Sequence, residues 1–121
     1  MYSEKIAMLI NGRWCQGSEG KSQPLLNPAT EEIMADVPHA SASDLDEALS
    51  SSAQGFAVWR QITPLERQAI MEKAARLVEE RIDEIAKTLT MEMGKPLAEA
   101  KIELGFVIDV IRWYAEEGKR A

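Results

Sequence analysis

The sequence predicts an α+β chain: short antiparallel β hairpins followed by about four helices. Three observations carry this. Short apolar runs lead into strong turn signals before residue 40. Helix-cap signatures recur after it. Between the caps, apolar residues repeat at helical spacing. The β hairpin region spans 1–40 and the helical region 41–121, with no linker between them.

Met8-Leu9-Ile10 is a short apolar run that meets Asn11-Gly12, a strong hairpin turn, with Trp14 beyond it. Gln16 to Ser22 is a polar loop. Leu25-Leu26 leads into the turn Asn27-Pro28-Ala29-Thr30, where Pro fixes φ. Ile33 to Val37 reads as the returning strand. Ser43 is placed to cap the first helix, with Asp46 three residues on and Leu45, Leu49, Ala53 and Phe56 at helical spacing. Thr63-Pro64-Leu65-Glu66 is a stronger start, joining a Thr cap, Pro at the first helical position and Glu at the third. Ile70, Ala74, Leu77 and Val78 supply that helix's apolar stripe. A third helix covers Asp83 to Met93, with Ile85 and Leu89 inward and Gly94 as its stop. Pro96 opens a fourth, from Leu97 to about Glu117.

The fourth helix carries apolar residues from Ile102 to Tyr114 that cannot share one stripe. Such a helix expects cover on most sides. The preceding elements are too few to supply all of it.

Composition narrows the function classes. A net charge of -6 argues against a nucleic-acid binder. The longest apolar stretch near the C-terminus is broken by Asp109 and Arg112, so no membrane span is predicted. No secretory leader is predicted either, which points to a cytoplasmic protein. The single cysteine excludes an internal disulfide and a multi-thiolate zinc site.

Candidate chemistry is sparse. Cys15 is a possible nucleophile and His39 its conventional partner, but nothing in the sequence brings them together. A bystander thiol and a solvated His weigh more. Gly94-Lys95 lacks the glycine five residues earlier that a phosphate loop needs. Glu79-Glu80 and Glu116-Glu117 are adjacent on helices, so neither pair converges. Trp113-Tyr114 could stack on a ring, but core is the commoner place for such a pair. The residues themselves name no catalytic, cofactor-binding or metal site.

As a set, five ordered blocks resemble the opening of the NAD(P)-dependent aldehyde dehydrogenase superfamily. They are Leu9 to Trp14; Asn27-Pro28-Ala29-Thr30-Glu31 with Ile33, similar to a family "NPATGE" hairpin; Phe56, Trp59, Arg60 and Arg67; Met91 to Ala100, similar to "E.GKP..EA"; and Trp113 to Gly118. The last two blocks look most like the succinate-semialdehyde dehydrogenase branch. The resemblance implies a partial cofactor-binding domain over 1–121, the outer part of a Rossmann-like domain. The catalytic and oligomerisation domains are absent from it. In the family an active-site Cys attacks the aldehyde, hydride passes to nicotinamide, and a Glu-activated water hydrolyses the thioester. An Asn side chain and a backbone N–H hold the oxyanion. None of those residues, nor the cofactor glycines, has a counterpart here. The resemblance therefore implies an NAD or NADP enzyme as parent and an inactive chain that binds no cofactor tightly. It also puts the fourth helix beside the aldehyde entrance tunnel, with Val107 and Ile111 on the tunnel side. The partners it implies are the remainder of the dehydrogenase or, through the apolar fourth helix, another copy of the chain.

Overall fold

The computed structural model describes residues 6–120 and is α+β. The chain forms two compact units, Met1–Arg60 and Gln61–Ala121.

In the first unit, β1 (Met8–Ile10) and β2 (Arg13–Cys15) pair antiparallel, with Leu9 opposite Trp14. Asn11 and Gly12 take φ of 52° and 72°. A two-residue hairpin whose twist matches its strands needs positive φ at both positions, and Asn-Gly tolerates it. Strands β3 (Ser22–Leu26) and β4 (Ile33–Pro38) form a second antiparallel pair, with an irregularity between Leu25 and Leu26. Pro24 lies within β3, which a two-stranded sheet tolerates because one backbone edge is unpaired.

The turn between β3 and β4 is held by Asn27. Its side chain accepts from the Ala29 N–H at 2.9 Å, and its carbonyl accepts from the Glu31 N–H at 2.8 Å. Glu31 takes φ 60°. It stands where the "NPATGE" pattern has glycine, so a side chain occupies a left-handed position.

Helix α1 (Ala42–Trp59) is capped two residues earlier than expected. Ser41, not Ser43, accepts from the Asp44 N–H at 3.1 Å, and the Asp44 carboxylate accepts from the Ser41 N–H at 2.8 Å. The same carboxylate takes the Ser18 N–H at 2.9 Å. An acceptor serving two backbone donors favours the earlier register over one built on Asp46. Helix α1 packs on β1, and Ser51 reaches Asn11 from that side. Leu45, Leu49 and Phe56 are exposed instead, so the helix buries no residue and its apolar stripe stays open.

In the second unit, α2 (Pro64–Glu80) starts at Thr63 with the expected capping box to Glu66. Arg81 separates it from α3 (Ile82–Met93), which ends at Gly94 in the left-handed region. Helix α4 runs Leu97–Glu117, as the sequence predicts. Ala86, Ala100 and Leu104 form the core, with Val78, Ile82, Ile85 and Leu89 packed against it.

The α2 stripe differs from expectation. Ile70, Ala74 and Leu77 face solvent, while Ala75 is fully buried. Helix α2 lies chiefly on α4, and a small residue at the contact lets two helices approach closely. Hydrophobicity alone ranks Leu above Ala and so selects the wrong side. Gln68 bonds Glu116 at 2.5 Å, and Arg112 bonds Glu79 at 2.7 Å and approaches Glu72 at 3.8 Å. These polar ties flank the α2–α4 contact.

Two outcomes follow from the first unit. Glu31→Gly removes left-handed strain but loosens the unfolded chain, for a net gain of about 0.5–1 kcal/mol. Denaturant melts of the two chains measure it, and an unchanged or lower midpoint contradicts it. The backbone N–H groups of Ser18 and Ser41 lower the Asp44 pKa from 3.8 to about 2. A lowered folded pKa means the latch is fully present above the unfolded value and is lost as pH falls from about 4 to about 2. The Ser18 and Ser41 amide NMR shifts should titrate near 2; a midpoint near 3.8 would contradict the latch.

Candidate functional site

The Cys15 thiol is half-buried and lies 3.5 Å from the Met8 carbonyl across the β1–β2 hairpin. His39 is exposed, and its backbone N–H donates to the Lys21 carbonyl at 2.8 Å, extending the β3–β4 ladder. No hydrogen bond joins the two side chains among the described residues. Of the four carboxylates in the two acidic pairs, Glu79, Glu116 and Glu117 are engaged by cations. Hydrogen bonding and charge from Arg112 lower the Glu79 pKa. Glu116 pairs with Lys119 at 2.7 Å and Glu117 with Arg120 at 3.1 Å. Lys95 pairs with Glu103 beyond the Gly94 turn. Among the described residues no group of His, Cys, Asp or Glu is placed to hold a metal ion, and no helix is long and apolar enough to cross a membrane.

A dinucleotide needs free helix N-termini or glycine-rich backbone for its phosphates. The described residues do not fit that need. The first-turn amides of α1 and α2 already donate to Ser41 and Thr63 in capping boxes, with the Asp44 and Glu66 carboxylates beside them. A second anion there would meet carboxylate charge. Helices α3 and α4 have no side-chain cap, but Asp83 and Glu84 in the first turn of α3 and Glu99 in that of α4 oppose a second negative charge there.

What the second unit does offer is the surface of α4. Ala100, Leu104, Ile108 and Ala115 are buried on one face. Ile102, Phe106, Val110 and Trp113 form a second stripe on the opposite face, because an offset of two residues turns about 200° around a helix. That stripe is open: Ile102 is 61% exposed, Phe106 66% and Trp113 60%. Val107, 40% exposed, and half-buried Ile111 lie on the flank of the buried face. The Trp113–Tyr114 pair, expected in the core, is at the surface, its rings edge to face with centroids 5.3 Å apart. Both charged residues flanking the seam on its other side are occupied: Lys101 pairs with Asp83 at 2.6 Å and Arg112 with Glu79. A shallow depression of about 400 Å³, lined by Tyr114, Glu117, Gly118 and Arg120, sits at the end of α4. The two-stripe pattern was legible in the sequence by placing residues at about 100° intervals. Counting apolar residues alone misses it.

Two hairpins followed by helices with open apolar faces have the build of part of a larger fold. Residues 14–121 match the aldehyde dehydrogenase family, and the chain belongs to it. It is 42% identical over 113 residues to 4-(hydroxymethyl)benzenesulfonate dehydrogenase of Comamonas testosteroni, covering 93% of this chain and 24% of that one. It is 38% identical over 112 residues to succinate-semialdehyde dehydrogenase [NADP(+)] of Escherichia coli K12, covering 93% and 23%. The crystal structure of succinate-semialdehyde dehydrogenase from Burkholderia pseudomallei superposes with a TM-score of 0.91 at 38% identity, covering 94% of this chain and 24% of that one. The chain thus spans about a quarter of the length of the relatives it matches.

The two faces of α4 predict opposite responses to one substitution. Phe106→Asp places a charge in solvent, so it should keep the helical circular dichroism and raise solubility. Ile108→Asp buries an unpaired charge at a position 4% exposed, which costs several kcal/mol and should abolish the helical signal. Equal loss in both variants would mean that Phe106 is core.

Proposed function

We propose that this chain is the N-terminal portion of a cytoplasmic NAD(P)-dependent aldehyde dehydrogenase, forming the outer part of its cofactor domain, and that alone it is catalytically inactive. The substrate of the whole enzyme is an aldehyde bearing an acidic group across a short carbon frame, with succinate semialdehyde as the specific choice. The E. coli relative named above supports this class, since its aldehyde carries a carboxylate across the frame from the carbon that is oxidised; the Comamonas relative is named for an alcohol, with a sulfonate across a ring from the hydroxymethyl carbon. Both basic side chains of α4 are engaged by carboxylates, so this helix contributes an apolar wall and not an anion site.

The carrying observation is that α4 holds its position through a buried seam while keeping apolar side chains open. Val107 and Ile111, one helical turn apart, line the aldehyde passage in this reading. The open stripe through Phe106 is the competing wall. The same open face fits a noncatalytic helical module closing on a partner, or one chain of a split enzyme.

The test replaces the matching quarter of the E. coli enzyme with this chain and follows NADP reduction by succinate semialdehyde. The graft should turn over, and the 121-residue chain alone should not. In the graft, Val107→Trp and Ile111→Trp should raise KM several-fold more than Phe106→Trp. The reverse order moves the passage to the other stripe, and turnover by the chain alone overturns the inactive assignment.

A further inference from the structure

We propose that Asn11 is a site of spontaneous deamidation in the folded chain, through attack by the Gly12 backbone nitrogen, and that the isoaspartyl product opens the β1–β2 hairpin. This goes beyond the assignment above and does not depend on it. The chain has two asparagines, Asn11 and Asn27. Asn27 precedes Pro28, whose ring nitrogen carries no proton and cannot cyclise. Asn11 precedes Gly12 at the tip of the hairpin, where both are exposed. Three features leave the reaction open there. The ladder closes at Ile10 with Arg13, and among the described residues no hydrogen bond engages the Gly12 N–H. Gly12 has no side chain, and the space a Cβ would fill is empty to 4 Å, so neither the attack nor the entry of water is hindered. The Ser51 hydroxyl donates to Asn11 Oδ1 at 3.4 Å, which draws electron density from Cγ.

Hydroxide removes the Gly12 amide proton. The nitrogen attacks Asn11 Cγ, the Cγ–Nδ2 bond breaks, and Nδ2 leaves as ammonia with a proton from water. Water then opens the cyclic imide, and nothing is oxidised or reduced. Opening at Cγ gives aspartate. Opening at the Asn11 main-chain carbonyl gives isoaspartate, whose backbone runs through Cβ and Cγ. That lengthens a turn of two residues by a carbon, so the Ile10–Arg13 pair cannot close in register. The Ser51 contact that ties the turn to α1 is lost with it.

The test ages the purified 121-residue chain in mildly alkaline buffer, folded and in urea, and reads each asparagine by mass after trypsin. Cuts after Arg13 and Lys21 put Asn11 and Asn27 on different peptides. In the folded chain Asn11 should exchange its NH2 for OH at least tenfold faster than Asn27, at a rate that rises with hydroxide concentration. No conversion of Asn11 in the folded chain overturns the proposal. Conversion in urea alone means that the turn shields Asn11, which also overturns it. Asn11→Asp supplies the same new charge without the longer backbone, on a residue that tolerates the left-handed region. Brief trypsin on the folded, aged chain should cut after Arg13 at least tenfold faster in the isoaspartyl form than in Asn11→Asp, each relative to the same form unfolded in urea. Equal cutting means that the hairpin keeps its register, and overturns the opening.

Discussion

The seam along α4 is the constraint on which the second unit depends. Among the described residues Leu104 and Ile108 are its only large buried side chains; Ala75, Ala86, Ala100 and Ala115 complete that buried set. Alanines bring helices close but contribute little apolar area at roughly 25 cal/mol per Å². A unit of this size is marginal even when its large apolar residues are inside. Here most of them are outside. The ion pairs beside the seam are partly solvated, so they set geometry more than they add stability.

Under the proposed function, that distribution gives α4 two tasks. A helix that buried every apolar residue against α2 and α3 would leave nothing for the rest of the fold to grip. One with no buried seam would not hold its orientation. Two apolar faces about 200° apart meet both needs. The exposed stripes of α1 and α2 follow the same logic within their own units, since Leu45, Leu49 and Phe56 on one and Ile70 and Leu77 on the other face outward. The acidic net charge opposes association of a surface rich in apolar groups without covering it.

Local chemistry made much of the fold legible. Asn11-Gly12 fixed the first hairpin, Thr63-Pro64 with Glu66 fixed the start of α2, and Gly94 fixed the end of α3, because each satisfies a backbone demand within a few residues. The misses were long-range. Ser41 outcompetes Ser43 because Asp44 also holds Ser18, 26 residues away in sequence. Apolar character predicts burial for Ile70 and Leu77 of α2 and for the Trp113–Tyr114 pair, yet all four are exposed. In a chain spanning about a quarter of its relatives, that rule fails wherever the covering surface lies elsewhere in the fold. The candidate site was legible only through the ordered blocks that resemble the family, since no residue here carries catalytic chemistry that a motif could announce.

The central claim is that the helices present apolar faces that only further protein covers. Sedimentation of the purified 121-residue chain across a hundredfold concentration range, with an apolar fluorescent dye present, tests it most directly. The account predicts strong dye binding at low concentration and association as concentration rises, with near-UV dichroism weak relative to helix content. A sharp monomer at every concentration, with a strong near-UV signal and no dye bound, would show that these faces are covered within the chain and would contradict the account.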